Sequence, residues 1–235
     1  MSRNSIKLHT PAGRRWLEKA VTQAGEDGKA AAPQPGKNAK AGAKPAMGAG
    51  EIRIIGGQWR RTRLPVAQRP GLRPTPDRVR ETLFNWLGQD LTGWHCLDAF
   101  AGTGALGLEA ASRGAASVLM NEQDAALVQQ VLGLCERLKA ANVRVLRGEA
   151  INCLRQAVPG SLDLVFIDPP FDALDLFIPA LKAAAQAVKP GGFVYLEAPR
   201  AWEAGELESL GGLELYRHLK AGAVHAHLLQ RPEAG

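Results

Sequence analysis

Residues 96–107 read Cys96-Leu97-Asp98-Ala99-Phe100-Ala101-Gly102-Thr103-Gly104-Ala105-Leu106-Gly107. A short apolar strand passes into a glycine-rich turn, and helical spacing follows from Leu106 to Arg113. Gly102 and Gly104 let the backbone turn tightly and approach a ligand with no Cβ in the way. The helix start beyond them offers unpaired N–H groups. This strand–turn–helix unit then repeats. The patterning predicts strands over 95–99, 117–121, 143–146, 162–167 and 192–197, with helices over 105–113, 124–140, 150–157 and 173–188. Lys189-Pro190-Gly191-Gly192 reads as a helix stop and turn. Two last strands, near 213–219 and 223–230, flank Lys220-Ala221-Gly222 and form an antiparallel edge hairpin. Such alternation predicts an α/β fold, a mostly parallel sheet with helices on both faces. A β-hairpin over 51–66 and a helix over 77–87 precede it. Val79, Leu83 and Leu87 share one face of that helix, and Thr75 or Asp77 supplies its cap.

Ligands on such sheets bind beyond the carboxyl ends of the strands, where this chain places four acidic residues. Gly102 to Gly107 matches the dinucleotide string G-x-G-x-x-G. Asp98 just before it would repel a pyrophosphate and suits a cationic ligand such as S-adenosylmethionine. Glu122 ends the next strand, where a carboxylate can accept two ribose hydroxyls or simply meet solvent. Gly148-Glu149-Ala150 follows the third strand and can face an adenine edge. The fourth strand, Leu162-Asp163-Leu164-Val165-Phe166-Ile167, runs into Asp168-Pro169-Pro170-Phe171. Prolines cannot continue a sheet ladder, so the chain leaves in a stiff, extended turn. A carboxylate, the Pro169 carbonyl and the Phe171 ring are thereby held together. They can grip an amino group on a planar base, with acceptors for its N–H bonds and a face for stacking. A plain strand end with a proline turn is the competing reading.

The 235 residues are 46% hydrophobic, enough for one sizeable core. No apolar run is as long as a membrane span, and no apolar segment of a secretory signal follows the start. Three cysteines without a CxxC pair, and no ligand-spaced histidines, argue for free buried thiols, a reducing cytoplasmic setting and no structural metal. The formal charge of +6 is unevenly spread. Residues 1–50 carry nine Lys/Arg against three Asp/Glu, and residues 51–82 carry eight Arg against three acids. The remainder has twelve Lys/Arg against seventeen acids, so the body is acidic and its entrance arginine-rich. Arg53, Arg60, Arg61, Arg63, Arg73 and Arg78, with Thr75, are candidate contacts to RNA phosphates; a solvated basic hairpin is the plainer alternative. Residues 1–50 read as a basic tail with little to bury, a composition shared with organelle transit peptides. Residues 51–90 read as an RNA-contacting extension and 91–235 as the catalytic domain.

Asp98-Ala99-Phe100-Ala101-Gly102-Thr103-Gly104 and Asp168-Pro169-Pro170-Phe171 resemble the motifs of amino-directed methyltransferases. Arg53-Ile54-Ile55-Gly56-Gly57-Gln58-Trp59-Arg60 and the stretch from Gly71 to Leu87 are similar to the bacterial RsmD family. The resemblance covers roughly residues 51 to 230. It implies a Rossmann-like methyltransferase fold, S-adenosylmethionine as cofactor, and methylation of the exocyclic N2 of a guanine in small-subunit ribosomal RNA, within the assembled or assembling subunit. It implies a cofactor site of Asp98, Phe100, Ala101, Gly102, Thr103, Gly104, Glu122, Glu149 and Ala150, and catalysis by Asp168, Pro169 and Phe171. Glu149 departs from the Asp or Asn of many relatives. Three rivals stay open: an adenine-N6 DNA methyltransferase, a nicotinamide-dependent dehydrogenase, and an RNA-binding module without catalysis.

Overall fold

The computed structural model describes residues 51–66 and 75–233; the basic tail and Arg73 lie outside the described residues. The described chain begins with β1 (Glu51–Arg53), β2 (Arg63–Pro65) and α1 (Asp77–Trp86). It continues through β3 (His95–Asp98), α2 (Ala105–Ser112), β4 (Ser117–Glu122), α3 (Ala125–Leu138), β5 (Val143–Arg147), α4 (Ala150–Gln156) and β6 (Leu162–Ile167). α5 (Phe177–Ala187), β7 (Val188–Ala198), α6 (Ala204–Ser209), β8 (Glu214–Ala221) and β9 (Val224–Gln230) complete it. β1 and β2 pair as a separate antiparallel hairpin, and the other seven strands form one sheet in the order β5-β4-β3-β6-β7-β9-β8.

Every residue of β6 is buried, as a central strand covered on both faces requires. Leu164 and Phe166 point into one apolar layer and Val165 and Ile167 into the other, the period-2 alternation of a strand. β3 to β7 run parallel through β4, β5 and β6, and β9 and β8 add the antiparallel edge. The strand order reverses direction at β3 and β6, which lie side by side with Asp98 opposite Phe166. A crevice opens at such a reversal. The fold is therefore the Rossmann-like arrangement expected.

The entrance segment packs into this body. Ile52, Ile54, Leu64 and Val66 of the hairpin, and Val79, Leu83 and Phe84 of α1, share one apolar cluster with Leu106, Leu108 and Phe166. All eight residues of α2 are buried, among them Glu109. Its carboxylate accepts the N–H groups of Ile55 (2.8 Å) and Gly56 (2.7 Å), and it pairs with Arg80 (3.3 Å) and Arg113 (2.9 Å). The hairpin also finishes α2, because the Gln58 N–H donates to the Ser112 carbonyl and the Trp59 N–H to the Ser112 hydroxyl. Gly57 makes this possible. Its φ is +72°, and a Cβ there would stand 1.9 Å from the Ser112 carbonyl oxygen. Only glycine fits.

Several boundaries differ from expectation. Neither Thr75 nor Asp77 caps α1; Pro76 holds the cap position, while Thr75 turns inward and Asp77 pairs with Arg80. α5 starts at Phe177 after a single 3₁₀ turn over Leu174–Leu176. Pro179 then falls in its first turn, where a missing N–H costs nothing. Lys189 to Gly192 does stop α5, but as a bulge inside β7: Leu162 pairs with Val188, and Leu164 with Phe193. The edge hairpin turns at Gly222-Ala223, so β8 runs on through Ala221. α6 had no sequence expectation; its capping box is built from Glu203 and Glu206 in place of a Ser or Thr. Cys96 is buried and Cys135 and Cys153 half-buried, all three free. No described helix is long and apolar enough to cross a membrane.

Replacing Glu109 with Ala leaves two buried guanidinium groups and two N–H groups without their acceptor. Removing one partner from a buried ion pair costs about 3–5 kcal/mol, so Tm should fall by roughly 10 °C. A calorimetric scan showing a change within about 2 °C would mean that the network adds little to stability.

Candidate active site

The parallel pairing of β3 with β6 brings the glycine turn and the proline turn to the same crevice. Asp98 ends β3 and is 1% exposed. Its Oδ2 accepts the Gly107 N–H at 2.9 Å, one turn into α2. A Cβ on Gly107 would press on Met120 at 2.8 Å and on Asp98 itself at 3.1 Å, which keeps this approach glycine-dependent. Gly104 sits in the left-handed region with φ +82° as the residue before α2, and its N–H closes the turn onto the Ala101 carbonyl at 2.7 Å. Ala101 and Thr103 are buried, while Phe100 and Gly102 are half-exposed.

Glu122 reaches across from the end of β4. Its Oε2 accepts the Gly102 N–H at 2.9 Å and its Oε1 the Asp124 N–H at 2.8 Å. The carboxylate is thus fixed by two backbone donors, with lone pairs left for hydroxyl groups. Asn121, which sequence reasoning passed over, braces the same edge. Its side-chain amide donates to the Ala99 and Gly148 carbonyls, tying together the ends of β3, β4 and β5. Glu149 precedes α4 at this edge, exposed, and accepts from Asn152 at 2.8 Å; Ala150 beside it is half-buried.

Asp168 follows β6 directly. Pro169 is buried, Pro170 exposed and Phe171 half-buried. The Thr75 hydroxyl donates to Asp168 Oδ2 at 3.4 Å. This corrects the expectation for Thr75: it is 3% exposed and faces a carboxylate, not the phosphates of a bound nucleic acid. Arg80 holds it there by donating to its carbonyl at 3.2 Å. Behind Asp168 stand two residues of β7 that no motif announced, the buried Glu197 and Tyr195, joined by a 2.8 Å hydrogen bond from the Tyr195 hydroxyl. A carboxylate in the apolar run Phe193–Ala198 was the available signal.

Crowding of acids raises their proton affinity. Burial pushes Asp98 up to about 7; the Gly107 N–H opposes this and the Glu122 charge adds to it. Burial also carries Asp168 well above the usual carboxylate range, with Glu197 and then Asp98 adding and the Thr75 hydroxyl opposing. Glu197 is raised by burial, against the Thr75 and Tyr195 hydrogen bonds and the Arg80 charge.

Arg53, Arg60, Arg61, Arg63 and Arg78 are all exposed. Arg53 lies 4.0 Å from Asp77, two residues from Thr75, so the basic hairpin borders the crevice. α3 steadies it, with Gln130 donating to the Pro65 carbonyl and Arg137 to the Arg63 carbonyl.

Asp98 remains protonated in the folded chain across a pH range in which the unfolded chain has already released that proton. Folding stability of the parent relative to Asp98→Asn should therefore fall as pH rises from about 4 to about 7, by up to about 1.4 kcal/mol per unit, and level off above. Denaturation at a series of pH values checks this; parallel stability curves would mean that Asp98 titrates in the ordinary range.

A family described as Conserved hypothetical protein 95 matches residues 52–230. The chain is 55% identical over 125 residues to Ribosomal RNA small subunit methyltransferase D of Escherichia coli K12, a stretch covering 53% of this chain and 62% of that relative. It is 40% identical to the protein of the same name from Haemophilus influenzae, over 64% of this chain and 80% of the relative. Among solved structures, a putative methyltransferase from Escherichia coli superposes with a TM-score of 0.66 at 38% identity, covering 79% of this chain and all of that one. A putative SAM-dependent methyltransferase from Streptococcus mutans, 13% identical over 68% of this chain and 50% of its own, shares the fold with a TM-score of 0.54. With the family match spanning most of the described residues, the chain belongs to the RsmD-like family, described as Conserved hypothetical protein 95.

Proposed function

We propose that this protein transfers a methyl group from S-adenosylmethionine to the exocyclic N2 of a guanine in small-subunit ribosomal RNA, in the assembled or assembling subunit. The observation that carries the reading is the adjacency of β3 and β6, which sets the glycine turn beside the Asp168-Pro169-Pro170-Phe171 turn. The relatives' names point to ribosomal RNA as the substrate class.

The residues present fit such a cofactor. A buried carboxylate of raised proton affinity, Asp98, gains by meeting a cation. Glu122 is oriented to accept ribose hydroxyls, and Phe100, Ala101, Gly102, Thr103 and Gly104 line the turn, with Glu149 and Ala150 at the adenine side. When bound, S-adenosylmethionine supplies a methyl group activated by its sulfonium. The guanine amine is a poor nucleophile because its lone pair is shared with the ring. Asp168 and the Pro169 carbonyl each accept one N–H bond, which aims the amine and stabilises positive charge developing on nitrogen. Phe171 stacks on the base, which must leave its own stack to arrive. The exposed arginines Arg53, Arg60, Arg61, Arg63 and Arg78 hold the surrounding phosphates.

Incubation with labelled S-adenosylmethionine and under-methylated small subunits, followed by mapping of the modified base, tests the assignment. Label on adenine, on DNA or on nothing would overturn it. Asp168→Ala should slow methyl transfer about 10²–10³-fold. Asp168→Asn should do less harm, because its amide oxygen still accepts an N–H bond. Phe171→Ala should weaken base capture by about 1–3 kcal/mol. Cofactor affinity, measured by calorimetry, should persist in all three. Replacing Arg60, Arg61 and Arg63 with Ala should flatten the salt dependence of RNA binding, since fewer counterions are released. An unaltered slope would return these residues to the solvated surface.

A further inference from the structure

We propose that the RNA-binding surface descends from the crevice along β2 and α3 to the opposite end of the sheet, where Arg137, Lys139 and Arg144 hold backbone phosphates of the same RNA. The identity of this polyanion rests on the proposed function. The path of the surface rests on hydrogen bonds between the elements that form it.

The basic hairpin starts beside the crevice, with Arg53 4.0 Å from Asp77. From there β2 lies along α3. The Gln130 side chain donates to the Pro65 carbonyl at 2.8 Å, and two turns further on Arg137 donates to the Arg63 carbonyl at 3.2 Å. α3 opens at Asp124, whose N–H is bonded to Glu122 on the crevice edge. Its 14 residues carry it about 21 Å away from that edge. At the far end Gln58 and Trp59 fix the hairpin tip by donating to Ser112, the last residue of α2. The loop after α3 is fixed to the same place. The Asn142 amide donates to the Ala111 carbonyl at 3.3 Å and to the Ala115 carbonyl at 2.8 Å. The hairpin tip, with Arg60 and Arg61, and the loop between α3 and β5 are therefore neighbours held by one helix end.

Three cations stand at this loop. Arg137 lies in the last turn of α3, and Lys139 ends the helix in the left-handed conformation with φ +53°. The Arg144 guanidinium reaches back to the Ala141 carbonyl at 3.2 Å. All three are exposed, and among the described residues no carboxylate pairs with any of them. Each guanidinium keeps donors beyond those given to carbonyls, in the forked arrangement that matches a phosphate. The acids nearby are Glu51, paired with Arg63 at 3.1 Å, and Glu136, which lies about 100° around α3 from Arg137. Cations at a helix C-terminus also complement its dipole. That accounts for Arg137 and Lys139, but not for Arg144, Arg60 or Arg61. Unpaired cations concentrated here, on a surface continuous with the basic border of the crevice, fit the backbone of a nucleic acid.

Binding of the full chain to RNA extracted from under-methylated small subunits, measured over a range of salt concentrations, tests the surface. Replacing Arg137, Lys139 and Arg144 together with Gln should reduce the slope of log affinity against log salt by about 2–3, because each lost phosphate contact removes roughly 0.7–0.9. KM for under-methylated subunits should rise about tenfold with kcat unchanged, the signature of lost uniform binding. Cofactor affinity should persist. Arg137 also steadies the hairpin, so the pair Lys139→Gln and Arg144→Gln, which leaves that contact intact, should still show about two thirds of the slope change. Arg155, Lys182 and Arg217 are exposed cations on α4, α5 and β8. Replacing these three with Gln removes the same total charge and should leave the slope at the parent value. A parental slope in the Arg137, Lys139 and Arg144 variant, or an equal flattening in the control, would overturn the proposal. A lower Tm with a parental slope would also overturn it and return Arg137 and Lys139 to the capping of α3. Methylation that proceeds at the parental KM after the triple substitution would remove the surface and leave the proposed function standing. A flattened slope in a protein that methylates no subunit would do the reverse.

Discussion

The Glu109 carboxylate is the point on which the rest of the molecule depends. It sits inside α2, the helix that begins at the glycine turn, and collects N–H groups from the hairpin and guanidinium groups from Arg80 and Arg113. Burying charge is costly unless it is paired and hydrogen-bonded. Here the balance closes: Glu109 and Asp77 face Arg80 and Arg113. The same network has a mechanical result. Arg80 grips the Thr75 carbonyl and Thr75 reaches Asp168, so one hydrogen-bonded path runs from the helix behind the glycine turn to the carboxylate proposed to hold the amine. The hairpin, α1 and both turns are positioned against each other by it.

Much of the fold was legible because it obeys local rules. β6 reads as a buried strand since both its faces are covered, and Asp124 opens α3 by accepting the Ala126 and Leu127 N–H groups as a cap should. The convergence of Asp98, Glu122, Glu149 and Asp168 follows from their place at strand ends. What stayed hidden depends on distant partners. Nothing in a proline- and arginine-rich segment says that Thr75 turns inward; Arg80 and Asp168 decide it. Glu109 looks like the polar residue of a surface helix until the hairpin covers it. Gly56-Gly57 reads as a loose turn, yet a Cβ on Gly57 would strike the Ser112 backbone.

Charge is sorted between the parts. The acidic body gathers Asp98, Glu122, Asp168 and Glu197 at one edge, where a small cation relieves their repulsion. The exposed arginines stand on the hairpin and α1 beside that edge, where the proposed RNA substrate would present its phosphates. The proposed reaction between a cationic cofactor and an anionic polymer needs these fields close together but separate, and docking the hairpin on the C-terminal end of α2 achieves this.

The same geometry decides between two ligands that the glycine string alone would admit. A dinucleotide lays its pyrophosphate on the free N–H groups of such a turn and of the helix after it. In this chain two of those donors are taken by the protein's own carboxylates: Gly102 N–H by Glu122, and Gly107 N–H by Asp98. A pyrophosphate would have to displace both and then sit beside them. A cation needs neither displacement, and its charge lowers the cost of ionising Asp98. The turn that resembles an anion site has two of its donors already held by the protein's own carboxyl groups, which favours the proposed cationic ligand over a pyrophosphate.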